Sequence, residues 1–188
     1  MAYPAHLQER VAEYLDALTF PSRAAGTSGL EEAMRYALLA GGKRVRPVLA
    51  LATAEALGHE ADAVLPLASA LELIHTYSLI HDDLPAMDDD DLRRGQPTSH
   101  VKYGEAVAIL AGDGLFAEAV RLMASIDSDP ARVLEAVQLL ASATGVEGMV
   151  GGQYVDVTAT DLDRESLRHL HSLKTGRLIR VSVETALA

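Results

Sequence analysis

The chain has 188 residues, 49% of them apolar, with 16 Lys and Arg against 27 Asp and Glu for a net charge of −11. That composition builds a core and excludes intrinsic disorder, and the acidic balance excludes a broad nucleic-acid-binding face, which needs clustered Lys and Arg. With no cysteine, disulfides, thiolate zinc sites and a cysteine nucleophile are excluded, and the expected compartment is the cytoplasm.

Alanine and leucine dominate, aromatics total 4% and tryptophan is absent, so the expected fold class is all-α. Leu7, Val11, Tyr14, Leu15 and Leu18 recur at helical spacing, and Pro21 with the stretch Ala24–Gly29 interrupts them. Residues 1–10 lack the apolar stretch of a signal peptide. Ser28 and Glu31 are spaced as a capping box opening a second helix. It runs into Gly41-Gly42 and a basic turn, Lys43 to Pro47, before a third helix from Val48 to Leu57. A long apolar fourth helix is expected from Asp62 to Asp83, in the middle of a bundle, with Pro85 stopping or kinking it. Its best apolar run, Val64–Leu71, is closed by Glu72, so no membrane span is expected. Helical patterning resumes from Gly104 to Ser125, and Asp129-Pro130 is an N-cap and first-residue pair for a helix reaching Gly145. Glycines crowd Gly145–Gly152, predicting a break or close packing, and two further helices begin near Asp163 and Thr175.

Between Leu79 and Gly95 the sequence reads LIHDDLPAMDDDDLRRG, in which Asp82, Asp83, Asp88, Asp89, Asp90 and Asp91 place six carboxylates in ten residues. An ordinary acidic run is a solvated loop. Here the first pair ends an apolar helix, where unpaired carboxylates are costly, so a cation is expected to neutralise them. Hard oxygen ligands in this density suit Mg²⁺, which binds one or two carboxylates and completes its shell with water and substrate phosphates. At about 100° per residue, His75, Ser78 and Asp82 share one helix face. Asp88 joins Asp82 only if the chain bends, as Pro85 permits; periodicity alone favours Asp89. Basic clusters at Lys43/Arg44/Arg46, Arg93/Arg94 and Lys174/Arg177 stand against the acidic background. They are either surface salt-bridge partners or, with the aspartates, a site for two phosphorylated ligands.

The motifs GGKRVRP (Gly41–Pro47), HTYSLIHDDLPAMDDDDLRRGQPTSH (His75–His100), AILAGDGL (Ala108–Leu115), GGQYVD (Gly151–Asp156) and HSLKTGRLI (His171–Ile179) resemble, in order, those of the trans-isoprenyl diphosphate synthases, in the bacterial-type farnesyl and geranylgeranyl diphosphate synthase group. The resemblance implies a bundle of long helices around a central cavity. It also implies condensation of isopentenyl diphosphate with an allylic diphosphate, dimethylallyl or geranyl, to farnesyl diphosphate. By that analogy Asp82 and Asp88, assisted by Asp83, hold Mg²⁺. Arg93, Lys174 and Thr175 grip the allylic diphosphate, while Lys43, Arg46, His75 and Arg94 hold isopentenyl diphosphate. Asp82, Asp83, Asp88, Arg93 and Lys174 would carry the ionisation. Tyr77 and Ser78 would limit chain growth, with Tyr77 pointing to a fifteen-carbon product; ordinary core packing is the other reading of Tyr77.

The family's second aspartate-rich motif, downstream of KTG, has no counterpart among these residues. The expectation is therefore a single polyprenyl synthase domain over 1–188, cut before that motif, and inactive until another chain or fragment completes the metal site. Family precedent implies a homodimer. The alternatives are a noncatalytic subunit pairing with a complete synthase, a geranylgeranyl diphosphate synthase, or a metal-dependent cyclase or head-to-head synthase; GGKRVRP and RRG favour condensation over the last two.

Overall fold

The computed structural model describes residues 4–21 and 24–187, so part of the expected break after the first helix lies outside them. Along the chain run α1 (Ala5–Ala17), α2 (Ser28–Leu38), α3 (Val45–Ala56), α4 (Leu65–Asp82), the strands β1 (Leu92–Arg93) and β2 (Gln96–Pro97), α5 (Ser99–Tyr103), α6 (Glu105–Ala124), α7 (Pro130–Thr144), α8 (Met149–Thr158), α9 (Arg164–His171) and α10 (Arg177–Leu187). The fold is all-α; the two strands form one small antiparallel hairpin.

α4 lies at the centre. It buries Leu67, Ala68, Ala70, Leu71, Leu73 and Ile74, so its apolar surface runs around the whole cylinder, as a helix enclosed by others requires. α2, α3, α6 and α10 pack on it. α6 approaches through small residues, burying Ala108, Ala111, Gly112 and Ala119; the His81 ring occupies the space a Cβ at Gly112 would need. α1 buries Leu7, Val11 and Leu15, the stripe its period predicts. Burying each such leucine contributes about 1.5–3 kcal/mol.

Local rules decide most of the boundaries. Asp129 caps α7 by accepting from the Ala131 N–H at 2.8 Å, and Asp163 caps α9 by accepting from Ser166 N–H. The capping box at Ser28 is not formed. Ser28 is already helical, and the Glu31 carboxylate accepts instead from the Phe20 N–H at 3.0 Å, tying α2 to the segment after α1. α3 starts at Val45, three residues before the expected Val48; Pro47 then falls in the first turn, where its missing N–H has no cost. The Arg94-Gly95 turn, with φ of 54° and 79°, has the left-handed pair that favours a tight hairpin, a feature the sequence reading passes over.

Two helical stretches, Ala61–Asp82 and Pro130–Thr158, have the length and hydropathy of a membrane span, contrary to the expectation from the single run Val64–Leu71. The first is the core helix with its adjoining 3-10 turn; the second is interrupted between α7 and α8 at Gly145–Gly148.

Candidate active site

The functional face is built at the C-terminal end of α4. That helix stops at Asp82, and the chain around Pro85 folds back: Met87 N–H donates to Leu84 C=O and Asp88 N–H to Asp82 C=O at 2.9 Å. The bend that the metal reading requires is thus present, bringing Asp88 back over the helix end. Asp82 faces a cavity of about 480 Å³. Burial and the charge of Asp88 push its carboxyl up to about 6, although Lys174 pulls it down.

Asp83 and Asp82 point different ways, because one residue along a helix turns about 100°. Asp83 is buried, and the Arg93 guanidinium holds its carboxylate at 2.5–3.0 Å. Arg93 also reaches Asp90 at 3.5 Å. Asp83, expected to assist a metal, is here held in an ion pair with Arg93, and neither residue is among those lining the cavity.

Opposite Asp82 sits Lys174, in a π-turn at Ser172–Gly176 between α9 and α10. Its ammonium contacts Asp156 of α8 at 2.6 Å and lies 4.0 Å from Asp82. Burial lowers the Lys174 pKa, but the hydrogen bond to Asp156 and the charge of Asp82 outweigh it and raise it overall. α8 comes this close because Gly152 has no side chain: a Cβ there would collide with the Lys174 backbone.

A third side is made by Arg46 and His75. Burial, reinforced by Arg46 and Arg94, drives His75 down to about 3, so its ring is neutral at pH 7. Arg46 lines the cavity, whereas Arg44, two residues earlier, does not. Arg44 adopts a left-handed φ of 51° and points inward, donating to Glu72 at 2.6 Å and to Leu38 C=O at 2.8 Å. Both members of that pair are buried. The basic cluster thus divides into an internal lock, Arg44, and cavity-facing Arg46. Lys43 is exposed, and Arg94 reaches over Gly42 to donate to Gly41 C=O.

Below this charged rim the wall turns apolar. Tyr77 stacks edge-on against His81 and Phe116, with centroids 5.1 and 5.5 Å away. On its far side lies a second cavity of about 420 Å³ that shares Tyr77, His81 and Val150 with the first. Tyr77, with His81 and Val150, therefore stands between the two. Of the expected site residues, the first cavity gathers Arg46, His75, Tyr77, Ser78, Asp82, Lys174 and Thr175; Lys43, Asp83, Asp88, Arg93 and Arg94 lie outside its wall. Gln153 also lines it, and sequence reasoning gave it no role; with Asp156 it forms an i, i+3 pair on α8 within GGQYVD. Among the described residues, no three carboxylates or imidazoles form a ready-made metal-ligand set. The donor chemistry nevertheless fits Mg²⁺, which needs only one or two carboxylates beside phosphate oxygens, and a half-buried Asp82 crowded by Asp88 gains from such a cation.

The structure is thus an all-α bundle whose central helix ends in carboxylates beside a basic rim, with an apolar wall below them. The sequence pattern of the polyprenyl synthetase family matches residues 27–188, and the chain belongs to that family. It is 51% identical over 182 residues to the farnesyl diphosphate synthase of Geobacillus stearothermophilus, covering 94% of this chain and 59% of the relative. It is 52% identical over 162 residues to the chloroplastic heterodimeric geranylgeranyl pyrophosphate synthase large subunit 1 of Arabidopsis thaliana, covering 81% and 44%. The crystal structure of an apo FPP/GFPP synthase from Zymomonas mobilis superposes with a TM-score of 0.91 at 43% identity, over 97% of this chain and 69% of that one. The chain thus spans three-fifths or less of the length of these curated relatives.

Proposed function

We propose that the protein is a cytoplasmic prenyltransferase that joins isopentenyl diphosphate to dimethylallyl or geranyl diphosphate, giving farnesyl diphosphate. The observation that carries this reading is the partitioned cavity, charged at one end by Asp82, Lys174, Arg46 and His75 and closed at the apolar end by Tyr77. Asp82 and Asp88 would hold Mg²⁺, which when bound neutralises charge on the diphosphate leaving group. Lys174, fixed by Asp156, offers a positive charge to the allylic diphosphate, and Thr175 stands beside it. Arg46 and neutral His75 receive the second diphosphate, where a buried guanidinium favours an anion strongly. The apolar wall keeps water from the allylic cation. Lys43, Arg93 and Arg94 belong to this reading as charges around the rim, with Arg93 acting through its pairing with Asp83.

Tyr77 favours farnesyl over a twenty-carbon product, because further growth needs the space beyond its ring. A homodimer is the proposed assembly: Ile109, Leu110, Phe116 and Val120 leave an apolar strip exposed along α6 that a second copy would cover.

The test begins with the intact mass of the native protein, followed by Mg²⁺-dependent incorporation of labelled isopentenyl diphosphate with geranyl diphosphate. Fifteen-carbon product that disappears on Asp82→Ala is expected. Full turnover by that variant, or failure of the native protein to bind geranyl diphosphate, refutes the assignment.

A further inference from the structure

Among the described residues, Gln153 is a buried amide for which the fold supplies no partner. Its Nε2 and Oε1 are both closed to solvent and neither makes a hydrogen bond. Leaving both halves of an amide unsatisfied is destabilising, and a side chain kept in that state is explained by something that satisfies it. Gln153 lines the cavity with Lys174 and Asp82, on a helix held close to Lys174. The preceding residue, Gly152, is packed against the Lys174 backbone. One turn along α8, Asp156 grips the Lys174 ammonium.

Resting on the diphosphate-binding reading above, we propose that Gln153 is a substrate-binding residue whose Nε2 donates to a diphosphate oxygen held by Lys174, while its Oε1 accepts from water bound at the same end of the cavity. The chemistry at hand selects this ligand. The neighbouring ammonium attracts an anion, the amide N–H needs an acceptor, and an oxyanion with bound water supplies both an acceptor and a donor. A hydrocarbon tail would satisfy neither amide atom. In GGQYVD, Asp156 then orients the lysine and Gln153 shares the anion with it.

The experiment is calorimetric titration of the 188-residue chain with inorganic pyrophosphate in Mg²⁺, comparing wild type, Gln153→Leu, Gln153→Glu and Lys174→Ala, with thermal melts of each without ligand. Gln153→Leu removes an unsatisfied buried amide at nearly constant volume, so its ligand-free melting temperature is expected to hold or rise. Its pyrophosphate affinity is expected to fall by about tenfold to a hundredfold, the worth of a hydrogen bond to a charged group. Gln153→Glu places an anion against the diphosphate and is expected to bind more weakly than Gln153→Leu. Affinity unchanged in Gln153→Leu, with loss in Lys174→Ala, overturns the role of Gln153 and leaves the diphosphate site standing. A lower ligand-free melting temperature with unchanged affinity makes Gln153 a packing residue and overturns the proposal. No binding by wild type overturns the diphosphate reading and this inference together.

Discussion

Removing the Glu72 carboxylate tests whether an internal ion pair sets the direction of Arg46. Glu72 is 2% exposed and Arg44 8%, and among the described residues the Arg44 guanidinium donates to the Glu72 carboxylate and the Leu38 C=O. Glu72→Ala leaves a buried cation with one carbonyl, a loss of about 3–5 kcal/mol. That is a large part of the roughly 5–15 kcal/mol that holds a domain folded. For a chain of this size it lowers the melting temperature by about 6–20 °C. The double variant Arg44→Met/Glu72→Met removes both charges and fills similar volume, so its stability is expected to return to wild type or exceed it. It still lacks the ion pair that anchors the left-handed residue two positions before Arg46, so, if that anchor sets the direction of Arg46, its isopentenyl diphosphate affinity is expected to stay low. Denaturant unfolding and ligand titration across the cycle read both effects. Equal instability in the single and double variants, or full affinity in the double variant, refutes the argument.

Two further outcomes follow from the same geometry. Tyr77→Ala opens the partition between the two cavities, so the native protein is expected to make products longer than fifteen carbons, read by chromatography of the hydrolysed prenols; an unchanged product removes Tyr77 as the floor. The stability of the ligand-free chain has opposing pH dependences. Asp82, raised to about 6, takes up a proton in the folded state before the unfolded state does, so its contribution to stability grows as pH falls from about 6 toward its ordinary 3.8. His75, held down to about 3, stays neutral when folded while the unfolded ring protonates, so its contribution is lost as pH falls from 6.5 toward 3. Asp82→Asn is therefore expected to be more stable than wild type above pH 6 and to lose that advantage toward pH 4, and His75→Asn to resist acid better. Parallel unfolding curves across pH for wild type and both variants contradict these environments.

Local chemistry written in the sequence determined a great deal about this protein. Leucine spacing in α1, the all-round apolar face of α4 and the caps Asp129 and Asp163 follow from helical period and backbone hydrogen bonding, which act over a few residues. The stripe His75, Ser78, Asp82 was legible for the same reason, and all three line the cavity. Pro85 marked the bend but not where it led. Glu31 shows the limit of such rules, since its carboxylate had a competing N–H at Phe20 that only the approach of α1 and α2 supplies. The division of labour among like-charged residues was decided by tertiary structure. Asp83 meets Arg93 ten residues away, Arg44 meets Glu72 twenty-eight away, and Lys174 meets Asp156 eighteen away. A charge takes whichever opposite charge packing brings within reach in a low-dielectric interior, and sequence spacing carries no record of that. Gln153 became visible only once its surroundings were known, because a missing hydrogen-bond partner is a property of the whole fold.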